Sequence, residues 1–391
     1  MKIAAKSWLT TYFVFFFFIW GIFLPFWGVW LAEKGVSPEQ IGTLFSLGLL
    51  LRFVSNVGLL ARLKTGSAAI KLLCYLSFSI LSCCLLLTYF QGWYALAALT
   101  LLLNFLMAPM IPLGDIIGTH LVKQIKINYG QVRLWGSISF IIGSASVGWA
   151  ISEFGHESIL WLIIIVILFT YCLSLIKLNP LLQAQSRGPQ KNRIKLLFLL
   201  KQPKVLYFLL TMGIIQGSHS AYYAFSALYW NSVGIPEFNI ALLWGVGVIA
   251  ELILMRFNDR LFSTWTIKQM TLLALIAALV RWLVLSQTTN FTVLILIQSL
   301  HAFTFALAHL AAMRFIAQQP AQLMVSYQTL YSSVALGLVM ALFTYISGWV
   351  YNPQESTVFL WMAGVLLPAF FFLKKWRCNT NRINKATIIA G

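Results

Sequence analysis

The sequence predicts an all-α membrane protein with twelve transmembrane helices in two pseudo-symmetric six-helix bundles. Three observations carry this prediction. Hydrophobic residues make up 60% of the 391 residues and charged residues only 9%, with a mean hydropathy of +0.85; a soluble domain carries about a quarter charged residues. Apolar runs of about 20 residues, long enough to cross a bilayer, recur from end to end. The basic residues fall in every second connection, as membrane topology requires. The alternating pattern of a membrane β-barrel is absent.

The spans fall at about 8–32, 40–61, 70–90, 93–118, 133–152, 158–178, 205–231, 238–257, 266–286, 291–316, 325–350 and 355–374, with boundaries good to a few residues. Turn residues separate them: Gly35–Pro38, Gln91-Gly92, Glu153–Glu157, Gly234–Pro236 and Asn352-Pro353. One set of connections holds Arg62, Lys64, Lys71, Lys123, Lys126, Arg256, Arg260, Lys268 and the basic tail Lys374, Lys375, Arg377, Arg382 and Lys385. The other holds Lys34 beside Glu33, Glu39, Glu153, Glu157, Glu237 and Glu355. This asymmetry places both termini in the cytoplasm and the chain in the cell inner membrane.

The formal charge of +18 is therefore a topology signal, and no nucleic-acid partner is expected. Lys2 and Lys6 precede an apolar run without a small-residue cleavage site, which favours a retained first helix. The five cysteines, Cys74, Cys83, Cys84, Cys172 and Cys378, have no metal-ligand spacing and are expected reduced. No metal or cofactor is implied, and a monomer is expected.

Residues 179–204 form the longest connection, polar and basic with Pro180 and Pro189. They read as a cytoplasmic linker between an N-terminal bundle, 1–178, and a C-terminal bundle with its tail, 205–391. The two halves resemble each other. Trp30, Gly35, Pro38-Glu39 and Ile41 match Trp230, Gly234, Pro236-Glu237 and Ile240, and eleven residues beyond each isoleucine lies a charge, Arg52 or Glu251. Leu134-Trp135-Gly136-Ser137 likewise resembles Leu330-Tyr331-Ser332-Ser333. Chance matching of tryptophan, glycine and proline is the alternative to duplication. Two such halves with a site between them at mid-membrane is a transporter arrangement.

Isolated charges are costly in hydrocarbon, so they should face an interior or an aqueous cavity and find partners. Arg52, Asp115, Arg133, Glu251 and Arg281 lie inside spans, joined by His219, His301 and His309. Asp115 and Arg133 flank one basic turn, containing Lys123 and Lys126, within the stretch Asn104–Ser144, and are expected at similar depth as a buried pair. Arg52, His219, Glu251, Arg281 and His301 fall near mid-depth. Either set could be paired charges that only fix helix packing; convergence of several titratable groups on helices 8, 9 and 10 favours function there. The segment Gly217–Trp230, with His219, Tyr222 and Tyr223, suits a cavity wall, and close packing by small residues is the alternative. Arg314 is expected to snorkel, and Phe15–Phe18 with Trp20 to contact lipid and neighbouring helices. Asn258-Asp259-Arg260, read as the loop after helix 8, is either a gating cluster or a solvated turn.

Enzyme signatures are missing: there is no histidine pair at i, i+4, no phosphate loop and no nucleophile elbow. His301 and His309 share a helix face but stand about 12 Å apart along it, too far to share a metal.

The stretches GIFLPFWGVWL (21–31), YGQVRLWGS (129–137), QGSHSAYYAFSALYW (216–230) and HAFTFALAHLAAMRFI (301–316) resemble the major facilitator superfamily, and within it the 3-phenylpropionate permease group, relatives of lactose permease and of nucleoside/proton symporters. The resemblance spans both halves. It implies that Asp115 and Arg133 match the helix-4 carboxylate and helix-5 arginine of lactose permease, at the same interval of 18 (133 − 115). Glu251, Arg281 and His301 match its helix-8 acid, helix-9 arginine and helix-10 histidine. The carboxylate three residues beyond that histidine is replaced by Thr304, and GLLARLKTG lacks the aspartate of the superfamily's loop motif.

The resulting expectation is a proton-coupled symporter working by alternating access on a small organic substrate, an aromatic carboxylate such as 3-phenylpropionate. Arg52, Asp115, Arg133, His219, Tyr222 and Tyr223 would bind substrate, and Glu251, Arg281, His301 and His309 would couple the proton. The alternatives are a sugar or nucleoside symporter and, in other classes, a non-transporting receptor or an intramembrane enzyme. The topology is checked by membrane-impermeant labelling of single cysteines: position 190 should be unreactive from outside intact cells, and labelling there would reverse the orientation.

Overall fold

The computed structural model describes residues 2–60, 63, 66–125, 127–176 and 196–376, and these form helices joined by short turns. In chain order they are α1 (Lys2–Glu33), α2 (Pro38–Ser55, continued by a π-helical turn, Asn56–Leu60), α3 (Gly66–Tyr89), α4 (Trp93–Met107, resuming at Met110–Ile125), α5 (Tyr129–Phe154) and α6 (Ser158–Leu175). There follow α7 (Pro203–Gly217 and Ser220–Ser232), α8 (Glu237–Phe262), α9 (Ile267–Leu285), and α10 (Phe291–Gln298, π-helical Ala302–Leu307, Ala308–Ala317). The last two are α11 (Ala321–Leu330, π-helical Tyr331–Val339, Met340–Val350) and α12 (Thr357–Val365, Leu367–Lys375).

Eleven of these helices are long and apolar enough to cross a membrane. The twelfth, α7, is divided at Ser218-His219. The expected linker lies outside the described residues over 179–195, as does the tail beyond Trp376; Leu196–Leu200 forms a short helical turn where a loop was expected. Asn258-Asp259-Arg260 lies in the last turns of α8, not in the loop after it, because the helix runs on to Phe262. Of the predicted turn residues, Lys123 belongs to α4 and Lys126 lies outside the described residues.

The helices group into two compact units, Met1–Pro189 with Tyr223–Gly245, and Gln190–Tyr222 with Val246–Gly391. In the first, α1 is the axis, packed on α5 and α6. Its face toward the core is a ladder of rings at helical spacing, Trp8, Tyr12, Phe16, Trp20, Phe23, Trp27 and Trp30, with successive centroids 4.7–6.3 Å apart. The expectation of ring contact with neighbouring helices holds for Phe16, which is fully buried. Rings this large need a thin partner, and α5 supplies one. A Cβ on Gly21 would stand 2.1 Å from the Phe140 carbonyl oxygen, and one on Gly143 2.4 Å from that of Phe18. Such close backbone approach is how membrane helices associate where no hydrophobic force drives them.

The irregularities have local causes. Pro109 brings no N–H to the carbonyl of Phe105, one turn back; Ser55 Oγ on α2 donates to that carbonyl at 2.6 Å. The turns after α1 and after α7 close alike, with Gly35 and Gly234 at φ 77° and 82°, a conformation open to glycine at no steric cost. Val36 N–H donates to Leu31 O and Ile235 N–H to Trp230 O across these turns. The paired motifs of the two halves therefore form the same backbone turn. Arg314 donates to the Phe262 carbonyl at 2.7 Å, capping the end of α8.

In the second unit, α7 packs on α11 and α12, and α9 on α10 and α12. Gly213 and Gly217 let α7 approach Val339 and Phe343 of α11, and Trp282 Nε1 on α9 donates to Ser218 Oγ at the α7 break, at 3.0 Å.

The glycine contacts make a testable claim about stability. Gly143→Val should destabilise the protein by about 1–3 kcal/mol, the usual cost of overpacking. Gly364→Ala, where an added Cβ meets nothing within 4 Å, should leave it unchanged or slightly more stable. Thermal unfolding of the detergent-solubilised protein checks both; equal melting temperatures for Gly143→Val and wild type would contradict the close-approach account.

Candidate functional site

The second unit contains the denser cluster. Arg281 on α9 is fully buried, and α10 turns three residues toward it at spacing three: Gln298, His301 and Thr304. Arg281 Nη1 contacts His301 Nδ1 at 2.7 Å and donates to Thr304 Oγ1 at 3.2 Å, while Nη2 donates to Gln298 Oε1. The rings of Tyr222 and Trp282 cover the guanidinium at 4.5 and 4.7 Å. Beyond His301, its Nε2 meets Glu251 Oε1 of α8 at 2.9 Å. Gly247, one turn before Glu251, leaves room for this ring, since a Cβ there would already touch His301 Cδ2 at 3.3 Å.

Elementary donor and acceptor rules fix the neutral tautomers. Arginine only donates, so His301 Nδ1 accepts and its proton sits on Nε2, donated to the Glu251 carboxylate. His219 Nδ1 faces two backbone carbonyls, Ile215 at 3.1 Å and Gln216 at 3.2 Å, so it must be the donor. Its Nε2 then accepts from the Thr304 hydroxyl at 2.9 Å. Two neighbouring histidines thus carry opposite tautomers. His301 stands as a neutral wedge between a guanidinium and a carboxylate.

This geometry sorts the candidates. Glu251, Arg281 and His301 come together. His219 and Tyr222, assigned to substrate in the sequence reading, lie against this same cluster: His219 is fully buried, with Trp282, His301 and Phe305 around its ring at 5.1–5.9 Å. Tyr223 belongs to the first unit, where its ring stands 6.0 Å from that of Trp244. His309, two turns beyond His301, pairs with Tyr331 Oη at 3.1 Å, where the π-helical turn of α11 begins. Gln298 and Trp282 were missed from sequence, and the signal for Gln298 was its spacing of three from His301.

The first unit holds the other candidates. Asp115 and Arg133 face each other across α4 and α5 at 3.6 Å, with side chains 44% and 36% exposed. The pairing agrees with expectation, but the burial does not: Arg133 lies one turn into α5 and Asp115 within the second part of α4, and both side chains stay partly exposed. Tyr129, one turn before Arg133, donates its hydroxyl to Asp115 Oδ1, and the rings of Phe13 and Phe17 lie 5.1 and 4.9 Å from the Arg133 guanidinium. Tyr129 was readable as the i, i+4 neighbour of Arg133. Arg52 on α2 donates from Nε to Asn104 Oδ1 at 2.9 Å and lies over the Trp20 ring at 4.7 Å. No carboxylate is within ion-pair reach of it among the described residues.

Comparison with known proteins agrees with this architecture. A model of the MFS_1 like family matches residues 7–363. The probable 3-phenylpropionic acid transporter of Escherichia coli (strain K12) is 35% identical over 380 residues, 96% of this chain and 99% of that protein. The maltose permease of Geobacillus stearothermophilus is 24% identical, over 92% and 91% of the two chains. Among solved structures, a mutant form of the nucleoside transporter NupG aligns with a TM-score of 0.82 over 95% of this chain and 100% of that one. At 17% identity this likeness is one of fold. Twelve helices, buried charges and a family match along nearly the whole chain agree: the protein is a membrane transporter of the major facilitator fold and belongs to the MFS_1 like family.

Proposed function

We propose that the protein is a proton-coupled symporter of the inner membrane that carries an aromatic carboxylate such as 3-phenylpropionate by alternating access. The observation that supports coupling is the buried Glu251–His301–Arg281 chain. A carboxylate linked to a guanidinium through one neutral imidazole is a proton site whose affinity depends on where the guanidinium is. Movement of Arg281 relative to His301 would change the charge that this carboxylate faces. Motion of α9 against α10 would therefore couple proton capture and release to the transport cycle. His309, bound to Tyr331, is a peripheral member of this set.

For the substrate, the 35% identical relative is named for 3-phenylpropionic acid, and the charges in the first unit favour an anion. Asp115 offsets Arg133, while the partners of Arg52 among the described residues are the neutral Asn104 and Trp20. A positive charge in a membrane protein without an acidic partner is costly unless an anion visits it. Arginine presents two parallel donors to a carboxylate, and an indole face beside it offers an apolar contact for a ring.

Two outcomes test this reading. Glu251→Gln keeps an oxygen that accepts from His301 but cannot take a proton. It should abolish uphill uptake driven by a pH gradient in proteoliposomes and spare substrate counterflow; undiminished uphill uptake would remove Glu251 from coupling. Arg52→Gln should weaken binding of 3-phenylpropionate by about tenfold or more, the scale of a charge-assisted hydrogen bond, and change binding of the neutral 3-phenylpropionamide far less. Arg52→Lys should recover part of the loss. Equal weakening for acid and amide would favour an uncharged sugar or nucleoside instead.

A further inference from the structure

Asn104, the hydrogen-bond partner of Arg52, is a polar side chain only 2% exposed in α4. Its two ends are both engaged. Oδ1 accepts from Arg52 Nε at 2.9 Å, and Nδ2 donates to the Thr100 carbonyl one turn back, also at 2.9 Å. The orientation of this amide is chemically forced, because Arg52 only donates and a carbonyl only accepts. Gly48 of α2 makes the space: a Cβ there would lie 2.8 Å from Asn104 Cγ. The amide is thus clamped by its own helix on one side and seated on a glycine on the other.

The consequence falls on Arg52. A guanidinium has two edges that can grip a carboxylate, one containing Nε and one made of the two terminal nitrogens. Asn104 occupies Nε, and the Trp20 ring covers the plane at 4.7 Å. The terminal edge remains for a ligand, held by a partner that is neutral and leaves the charge uncompensated. We propose that Asn104 is a positioning residue of the anion site: it orients Arg52 for end-on recognition of a carboxylate and sets the preference for acidic over neutral ligands. This rests on the reading of Arg52 as the anion-binding group. Replacing the amide by a carboxylate of the same shape supplies an internal anion at the same place, which would pair with Arg52 and displace the external one.

The test measures binding of 3-phenylpropionate and 3-phenylpropionamide to the purified full-length chain by titration calorimetry, for wild type, Arg52→Gln, Asn104→Asp, Asn104→Leu and Gly48→Ala. Asn104→Asp should lower the acid-to-amide affinity ratio by about tenfold or more, as Arg52→Gln does, with amide binding nearly unchanged. Asn104→Leu, which frees Arg52 Nε without adding charge, and Gly48→Ala, which pushes the amide aside, should lower the ratio to intermediate values. A purely structural role for Asn104 would weaken acid and amide alike. If Arg52→Gln collapses the ratio while Asn104→Asp and Asn104→Leu keep it at the wild-type value, the inference fails and the anion-site reading stands. If Arg52→Gln itself leaves the ratio unchanged, both fall. Should Asn104→Asp not fold, the ratio for Asn104→Leu decides.

Discussion

The second unit depends on one buried charge. Arg281 is fully buried, and removing its partners one at a time would strand a guanidinium in a low-dielectric interior at a cost of several kcal/mol. It contacts neutral groups: an imidazole nitrogen, a hydroxyl, an amide oxygen and two aromatic faces. The carboxylate of Glu251 is linked to it through His301. This requirement explains why α8, α9, α10 and the break in α7 converge where they do. Each brings one piece of a shell that a single cation demands.

Neutral contact has a different character from a direct ion pair. A guanidinium locked to a carboxylate resists separation, whereas one held by dipoles and ring faces can exchange partners at lower cost. The first unit is arranged on the same principle. Arg52 is held by an amide and an indole, and Arg133 shares Asp115 with Tyr129 at a solvent-accessible position. Arg133 differs in touching a carboxylate directly, that of Asp115.

Much of this was legible in the sequence, because in a membrane protein burial and function are both written in polarity. Hydropathy alone marked the helices, and the cost of charge in hydrocarbon marked Arg52, Asp115, Arg133, Glu251 and Arg281 as residues needing an explanation. The spacing of Gln298, His301 and Thr304 was also readable, but an uncharged amide costs far less to bury than a charge, so Gln298 stands out less in an apolar span. What could not be read is backbone irregularity. The break at Ser218-His219 and the π-helical turns leave no mark in hydrophobic periodicity, since the flanking residues keep the same apolar character. Direction was equally hidden. Tyr222 and Tyr223 are adjacent in sequence and belong to different units, and the partial exposure of Asp115 has no counterpart in its apolar sequence surroundings.

The π-helical turn Ala302–Leu307 sits directly after His301 and contains Thr304. A π turn holds one residue more than an α turn over the same length, so it is a dislocation in the helical lattice with a single surplus residue. Such a defect can glide along the axis by swapping one backbone hydrogen bond at a time, without melting the helix. Each step of the glide rotates the side chains it passes by about a quarter of a revolution relative to those beyond it. The helix that carries three of Arg281's partners therefore has, in its own winding, a bearing on which those partners could turn independently of one another.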